Sequence, residues 1–276
     1  MLLKNKNAII YGAGGSLGST IAKAFAEAGA KVFLTGRNLA SVNKVLNEIV
    51  AAGGIAEAAQ VDALDEQAVN DHVNVVVHNA GTVDISFNLI DTQAIQGIPL
   101  TEMTVADFTR PTNIAMQTQF ITSTAAARVM IKQQSGVILS LTATPGGVAY
   151  PGVGGFGPAC CAIEGFFRNL ASENGPYGVR VVNIRSGGSP DSNVFKEAIS
   201  ANPEEMEIVL RKMKADTMLK EMPAMADVAN TAVFLASPLA GKITGVTIDL
   251  TCGTTVGLNY RTSDSMEHVI KGNAKK

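Results

Sequence analysis

The chain has 276 residues, 46% of them hydrophobic, and a formal net charge of −2. That supplies a large core and gives no electrostatic reason to expect nucleic acid or an anionic membrane as partner. No apolar run is long and unbroken enough to span a bilayer, Cys160, Cys161 and Cys252 form no disulfide framework, and His72, His78 and His268 lack the spacing of metal ligands. The N-terminus enters a strand almost at once, leaving no room for a signal peptide, so a cytoplasmic protein is expected.

Ala8 to Tyr11 read as a short buried strand, and Ser16 to Gly29 as a helix with apolar residues at Leu17, Ile21, Ala24, Phe25 and Ala28. Between them lies a glycine-rich turn, Tyr11 to Gly18. Strand, turn and helix in this order open a dinucleotide-binding unit. Glycines let the backbone approach a pyrophosphate, and the helix start offers it free N–H groups and a positive dipole end. Gly12, Gly14, Ser16, Leu17 and Gly18 are the contacts expected from this turn.

Lys31 to Thr35 form a second strand, followed by Gly36 and Arg37. An acidic residue near this place takes the ribose hydroxyls in NAD-selective units. A guanidinium instead suits a 2′-phosphate, which points to NADP(H) rather than NAD(H). A helix from about Leu39 to Ala52 ends at Gly53-Gly54, and a third strand runs to Val61-Asp62, with Asp62 and Ala63 placed where an adenine ring lies.

Two registers compete next. His78-Asn-Ala-Gly81 looks like a strand end, but a parallel crossover needs about a dozen residues or more, and Asp62 is too close to His72 for one. Val69, Val73, Val76, Val77 and Ala80 instead make one stripe at helical spacing, which Gly81 stops. The fourth strand is then Val83 to Asn88.

A polar segment, Asp91 to Thr104, leads into a long helix from Thr104 to about Gln133, with Pro111 as a possible kink. Gly136 to Leu141 form a fifth strand. A glycine-rich loop, Pro145 to Gly157, precedes a helix from about Pro158 to Asn174 and a strand from Val179 to Ile184. Ser186 to Pro190 open a loop containing Gly188, another expected cofactor contact. Residues 192–222 read as a charged, mostly helical excursion covering a pocket, with about 190–222 forming a substrate loop. Ala226 to Ala236 are helical, Gly245 to Leu250 form the last strand, and residues 254–276 are a polar tail. Strands and helices alternate with no repeat or linker. The fold class expected is α/β: a single doubly wound Rossmann domain over 1–276, its mostly parallel sheet flanked by helices.

From about Lys4 to Gly253 the chain resembles the short-chain dehydrogenase/reductase family. Gly12 and Gly18 match its Thr-Gly-x-x-x-Gly-x-Gly turn, with Tyr11 and Ser16 in place of the threonine and the middle glycine. Asp62 matches its adenine-side aspartate, and Asn88 the first asparagine of its Asn-Asn-Ala-Gly strand end. Asp227 to Ser237, with Ile243-Thr-Gly245, is the most family-like stretch. The resemblance implies an oxidoreductase acting on a small carbonyl or alcohol, bound to a nicotinamide cofactor and assembled as a homodimer or homotetramer through the helices at about 104–133 and 158–174.

It also implies an Asn-Ser-Tyr-Lys tetrad, and here the chain departs. Alignment puts those positions at Ala115, Ala143, Phe156 and Cys160, with Asn113 as a fallback for the asparagine. Phenylalanine has no proton to give, and a neutral thiol lends no positive charge. The site is therefore degenerate, and any turnover needs a non-standard proton route. Tyr150 is the one nearby phenol, and Thr142 and Thr144 flank the serine position as candidate substrate contacts. The alternatives are a non-catalytic NADP(H)-binding protein or supporting subunit, and a non-redox isomerase or cyclase.

Overall fold

A computed structural model describes residues 1–256. The expected tail over 254–276 falls almost wholly outside the described residues. Seven strands form one sheet: β1 Asn7–Tyr11, β2 Lys31–Gly36, β3 Ile55–Gln60, β4 Ile85–Asn88, β5 Gly136–Ala143, β6 Val179–Ser186 and β7 Thr247–Leu250. Their order is β3-β2-β1-β4-β5-β6-β7, and every paired neighbour is parallel. The sheet is thus wholly parallel over the described residues.

Among the described residues eight α-helices connect the strands: α1 Ser16–Glu27, α2 Leu39–Ala51, α3 Glu66–Ala80, α4 Val105–Gln133, α5 Phe156–Asn174, α6 Asn193–Ala201, α7 Pro203–Asp216 and α8 Met225–Ala236. The period-two geometry of a strand sends neighbouring side chains to opposite faces. Ile10 and Leu34 pack with Ile21, Val45 and Val228 of α1, α2 and α8. Ile9 and Phe33 pack with Val69, Ala126 and Ile163 of α3, α4 and α5. Both faces are covered, which is why the central strands are near-continuous apolar runs.

The helical register of residues 66–80 holds. Val69, His72, Val73 and Val76 are buried on one stripe of α3, Val77 and Ala80 pack against the same core, and Gly81 ends the helix at φ 82°. Asp65 caps its start, accepting from the Ala68 N–H. Thr104 does the same for α4, accepting from the Asp107 N–H, and that helix continues through Pro111.

Several boundaries differ from the sequence expectation. β3 stops at Gln60, so Asp62 lies in the following loop, where its carboxylate accepts from the Leu64 N–H. α5 begins at Phe156 rather than Pro158. The excursion over 192–222 is two helices, α6 and α7, with no buried residue on either. No described helix is long and apolar enough to cross a membrane.

Candidate functional site

β1 and β4 lie side by side where the strand order reverses, and a crevice opens at the carboxyl ends of strands at such a point. The turn after β1 is built for close approach. Gly12 has φ +78°, and a Cβ there would sit 2.7 Å from the Leu89 carbonyl oxygen. A Cβ on Gly18 would sit 2.2 Å from the Gly12 oxygen. Only glycine allows the turn and α1 to nest this tightly. Gly15, the residue before α1, gives the helix no side-chain cap, and its first turn carries no acid. The N–H groups there are left for an anion. These residues fit the diphosphate of a nicotinamide dinucleotide.

A cleft of about 710 Å³ runs from this turn along the ends of β4, β5 and β6. Gly15 to Gly18 form one end; Ala115 and Gln119 of α4, Thr142 to Pro145 at and just past the end of β5, and Phe156, Cys160 and Ile163 of α5 form its middle. Ser186 to Ser189, with Val194 and Phe195 of α6 and Val209 and Met213 of α7, close the other side. Ala115, Ala143, Phe156 and Cys160, the four positions expected from the sequence to stand in for the tetrad, thus line one cleft, although they come from three separate parts of the chain.

Their chemistry is apolar. Ala115 and Cys160 are buried. Burial pushes the Cys160 thiol up to about 11, helped by the nearby Glu164 carboxylate and against a backbone hydrogen bond at Ala143, so it stays a neutral thiol. The fallback Asn113 fails: it is exposed on α4 and lines no part of the cleft. Tyr150 does line it, about 39% exposed. Burial, and then the charge of Asp216, raise its phenol above the ordinary value.

Thr142 is not free to meet a substrate. Its hydroxyl donates to Glu164 Oε1 at 2.9 Å and accepts from Asn183 Nδ2 at 2.7 Å. Thr144 is buried in the cleft wall, and its hydroxyl has no partner among the described residues. Asn88 lines the cleft, but its side chain is used internally, donating to Thr122 Oγ1 at 3.0 Å and accepting from the Ile90 N–H. Ser16, Leu17, Gly18 and Gly188 line the cleft. Gly12 and Gly14 shape the turn from behind. Arg37, Asp62 and Ala63 lie beyond this cleft, past the ends of β2 and β3; Arg37 and Asp62 are exposed and Ala63 is buried. Tyr11, in the family's threonine place, is buried with its hydroxyl unpartnered. No cluster of metal-ligating side chains exists among the described residues.

Residues 12–255 match a family model described as enoyl-(acyl carrier protein) reductase. The chain belongs to the short-chain dehydrogenase/reductase family. It is 30% identical to the 7alpha-hydroxysteroid dehydrogenase of Escherichia coli strain K12, covering 93% of this chain and 97% of that one. It is 32% identical to the secoisolariciresinol dehydrogenase of Forsythia intermedia, over 88% of this chain and 86% of the other. Among solved structures, a putative short-chain dehydrogenase/reductase from Burkholderia xenovorans superposes with a TM-score of 0.85 at 28% identity, covering 93% of this chain and 99% of that one. The hydroxysteroid dehydrogenase of Escherichia coli gives 0.75, also at 28%, over 91% and 97%. Members of the short-chain dehydrogenase/reductase family are oxidoreductases that bind a nicotinamide cofactor and act on small molecules.

Two features of the site escaped the sequence reading. Gln119 stands in the cleft wall one helical turn beyond Ala115, and that i, i+4 spacing was the only available signal. Glu164 and Arg185 pair across two elements, and nothing in the local pattern of either residue announces the other.

Proposed function

We propose that this protein binds NADP(H) and reduces a neutral, largely apolar carbonyl compound by a proton route other than the family's. The observation that carries this reading is the single cleft joining the uncapped start of α1 to positions 115, 143, 156 and 160. The amides of Ser16 to Gly18 and the dipole of α1 hold the diphosphate. Arg37, exposed after β2 and without an ion pair among the described residues, meets the 2′-phosphate. When bound, the nicotinamide supplies the hydride.

The walls beyond it set the substrate class. Phe156, Ile163, Val194, Phe195, Val209 and Met213 are apolar, and among the described residues the one charged lining residue is Asp91, an exposed carboxylate. An anionic substrate finds no cationic partner among the described lining residues. The resemblance to a hydroxysteroid dehydrogenase supports an apolar ring compound. Negative charge building on the carbonyl oxygen needs a proton or hydrogen bonds. Tyr150 is the available phenol. Its raised pKa keeps the phenol protonated at neutral pH, so it holds the proton that carbonyl reduction needs.

A second reading has its own support. With all four tetrad groups replaced, the same cleft suits a subunit that holds NADP(H) without turning over. The test titrates NADPH and NADH by fluorescence, then follows NADPH oxidation with a panel of apolar ketones. Tighter NADPH binding with turnover that falls in Tyr150→Phe supports the first reading. Binding without turnover supports the second. Failure to bind either dinucleotide overturns both.

A further inference from the structure

Several polar side chains in the cleft wall are already committed. Asn88 bonds Thr122 and the Ile90 N–H, Thr142 bonds Glu164 and Asn183, Thr118 donates to the Ala115 carbonyl, and Ser186 donates to the Gly187 carbonyl. Gln119 is different. It is 4% exposed, lines the cleft, and has no side-chain hydrogen bond among the described residues; its Oε1 is buried without a partner. Buried carboxamides are normally bonded at both ends, because an unmet donor or acceptor away from water is costly.

We infer that Gln119 is the polar anchor of the substrate pocket, recognising an uncharged hydroxyl on an otherwise apolar skeleton. A hydroxyl both gives and takes a hydrogen bond, and a half-turn about the last side-chain bond of glutamine brings either end of its carboxamide to the cleft. The residue lies on the same face of α4 as Ala115, one turn further on. A carboxamide absent at 115 is therefore present at 119, one turn along the same helix. This makes Gln119 a specificity residue. It rests on the reading of the cleft as a site for a neutral apolar compound, and not on the identity of the cofactor.

The test uses full-length protein without dinucleotide and two probes of the same skeleton, trans-2-decalol and decalin, with binding followed by ligand-detected NMR. Gln119→Met keeps the length and apolar contacts of the side chain and removes the carboxamide. The expected result is a fall of about five- to tenfold in affinity for the alcohol, with affinity for the hydrocarbon unchanged or higher. The thermal midpoint should hold or rise, since an unbonded polar group has been removed. A variant that binds the two probes in the wild-type ratio overturns the assignment. So does wild-type protein that binds neither probe, or a variant that loses midpoint and both affinities alike, the mark of a merely structural side chain. A separate NADPH titration of wild-type protein reports on the proposed function, so the two failures are distinguishable.

Discussion

Arg185 Nε donates to Glu164 Oε1 at 3.0 Å, tying β6 to α5 beside the cleft. The pair is the centre of a longer array. Arg185 also reaches Asp249 Oδ2 at 3.1 Å, Thr142 donates to the same Glu164 oxygen, and Asn183 links Thr142 to Ser140. Side-chain exposure is 15% for Arg185 and 6% for Glu164. Removing one partner leaves a buried charge uncompensated, a loss of about 3–5 kcal/mol. Arg185→Met should lower stability by an amount of that order, and the double variant Arg185→Met/Glu164→Gln by clearly less. Urea unfolding of the three proteins checks this.

Gly18→Ala should damage the nucleotide end. The added Cβ meets the Gly12 oxygen at 2.2 Å, backbone that has little room to move. Overpacking of this kind costs about 1–3 kcal/mol, against a helix-propensity gain of at most about 1 kcal/mol. The expected outcome is a lower thermal midpoint and NADPH affinity reduced by about tenfold or more, read by fluorescence titration. Retained affinity would show that the turn tolerates the shift.

His72 gives the fold a pH dependence. Burial in α3 drives its imidazole down to about 4, a little offset by Glu57, and its Nδ1 has no partner. An unfolded chain takes up that proton near pH ~6.5. Between pH ~6.5 and about 4 the unfolded state therefore binds more protons than the folded state. Stability falls as pH falls through this window, by up to about 3 kcal/mol. Urea midpoints measured from neutral to mildly acidic pH should drop for the wild type, and the upper part of that slope should flatten in His72→Leu.

Phe156 and Cys160 lie one helical turn apart on α5, and both line the cleft. Phe156→Tyr with Cys160→Lys together restore a phenol acidified by an ammonium. General acid catalysis is worth about 10²–10⁴ in rate, so the double variant should oxidise NADPH with an apolar ketone at least about a hundredfold faster than wild type. An assay that stays silent, with NADPH binding intact, would mean that the cleft no longer presents a carbonyl to that position.

Much of this was legible in the residues. The glycine turn, the alternation of strands and helices, and the register of α3 all rest on local rules. Positive φ needs glycine, as at Gly12 and Gly81, and a valine stripe of helical period cannot be a strand with one buried face. The i, i+4 spacing of Phe156 and Cys160 within one helix was also readable, and both line the cleft. The boundaries were less so: Phe156 and Gly157 read as loop, yet they begin α5, since packing beneath the cleft outweighs weak local helix signals.

Sequence alone determined that this is a doubly wound α/β chain that opens on a glycine-rich turn between β1 and α1. Tertiary structure alone decided that Asn113 faces outward, that Thr142 is consumed by Glu164 and Asn183, that Arg185 is neutralised by Glu164, and that Gln119 is left unbonded in the cleft. Periodicity dictates which residues share a face of their own helix or strand. Which groups meet across two elements depends on how those faces pack, and that is set by the whole sheet and its helices together.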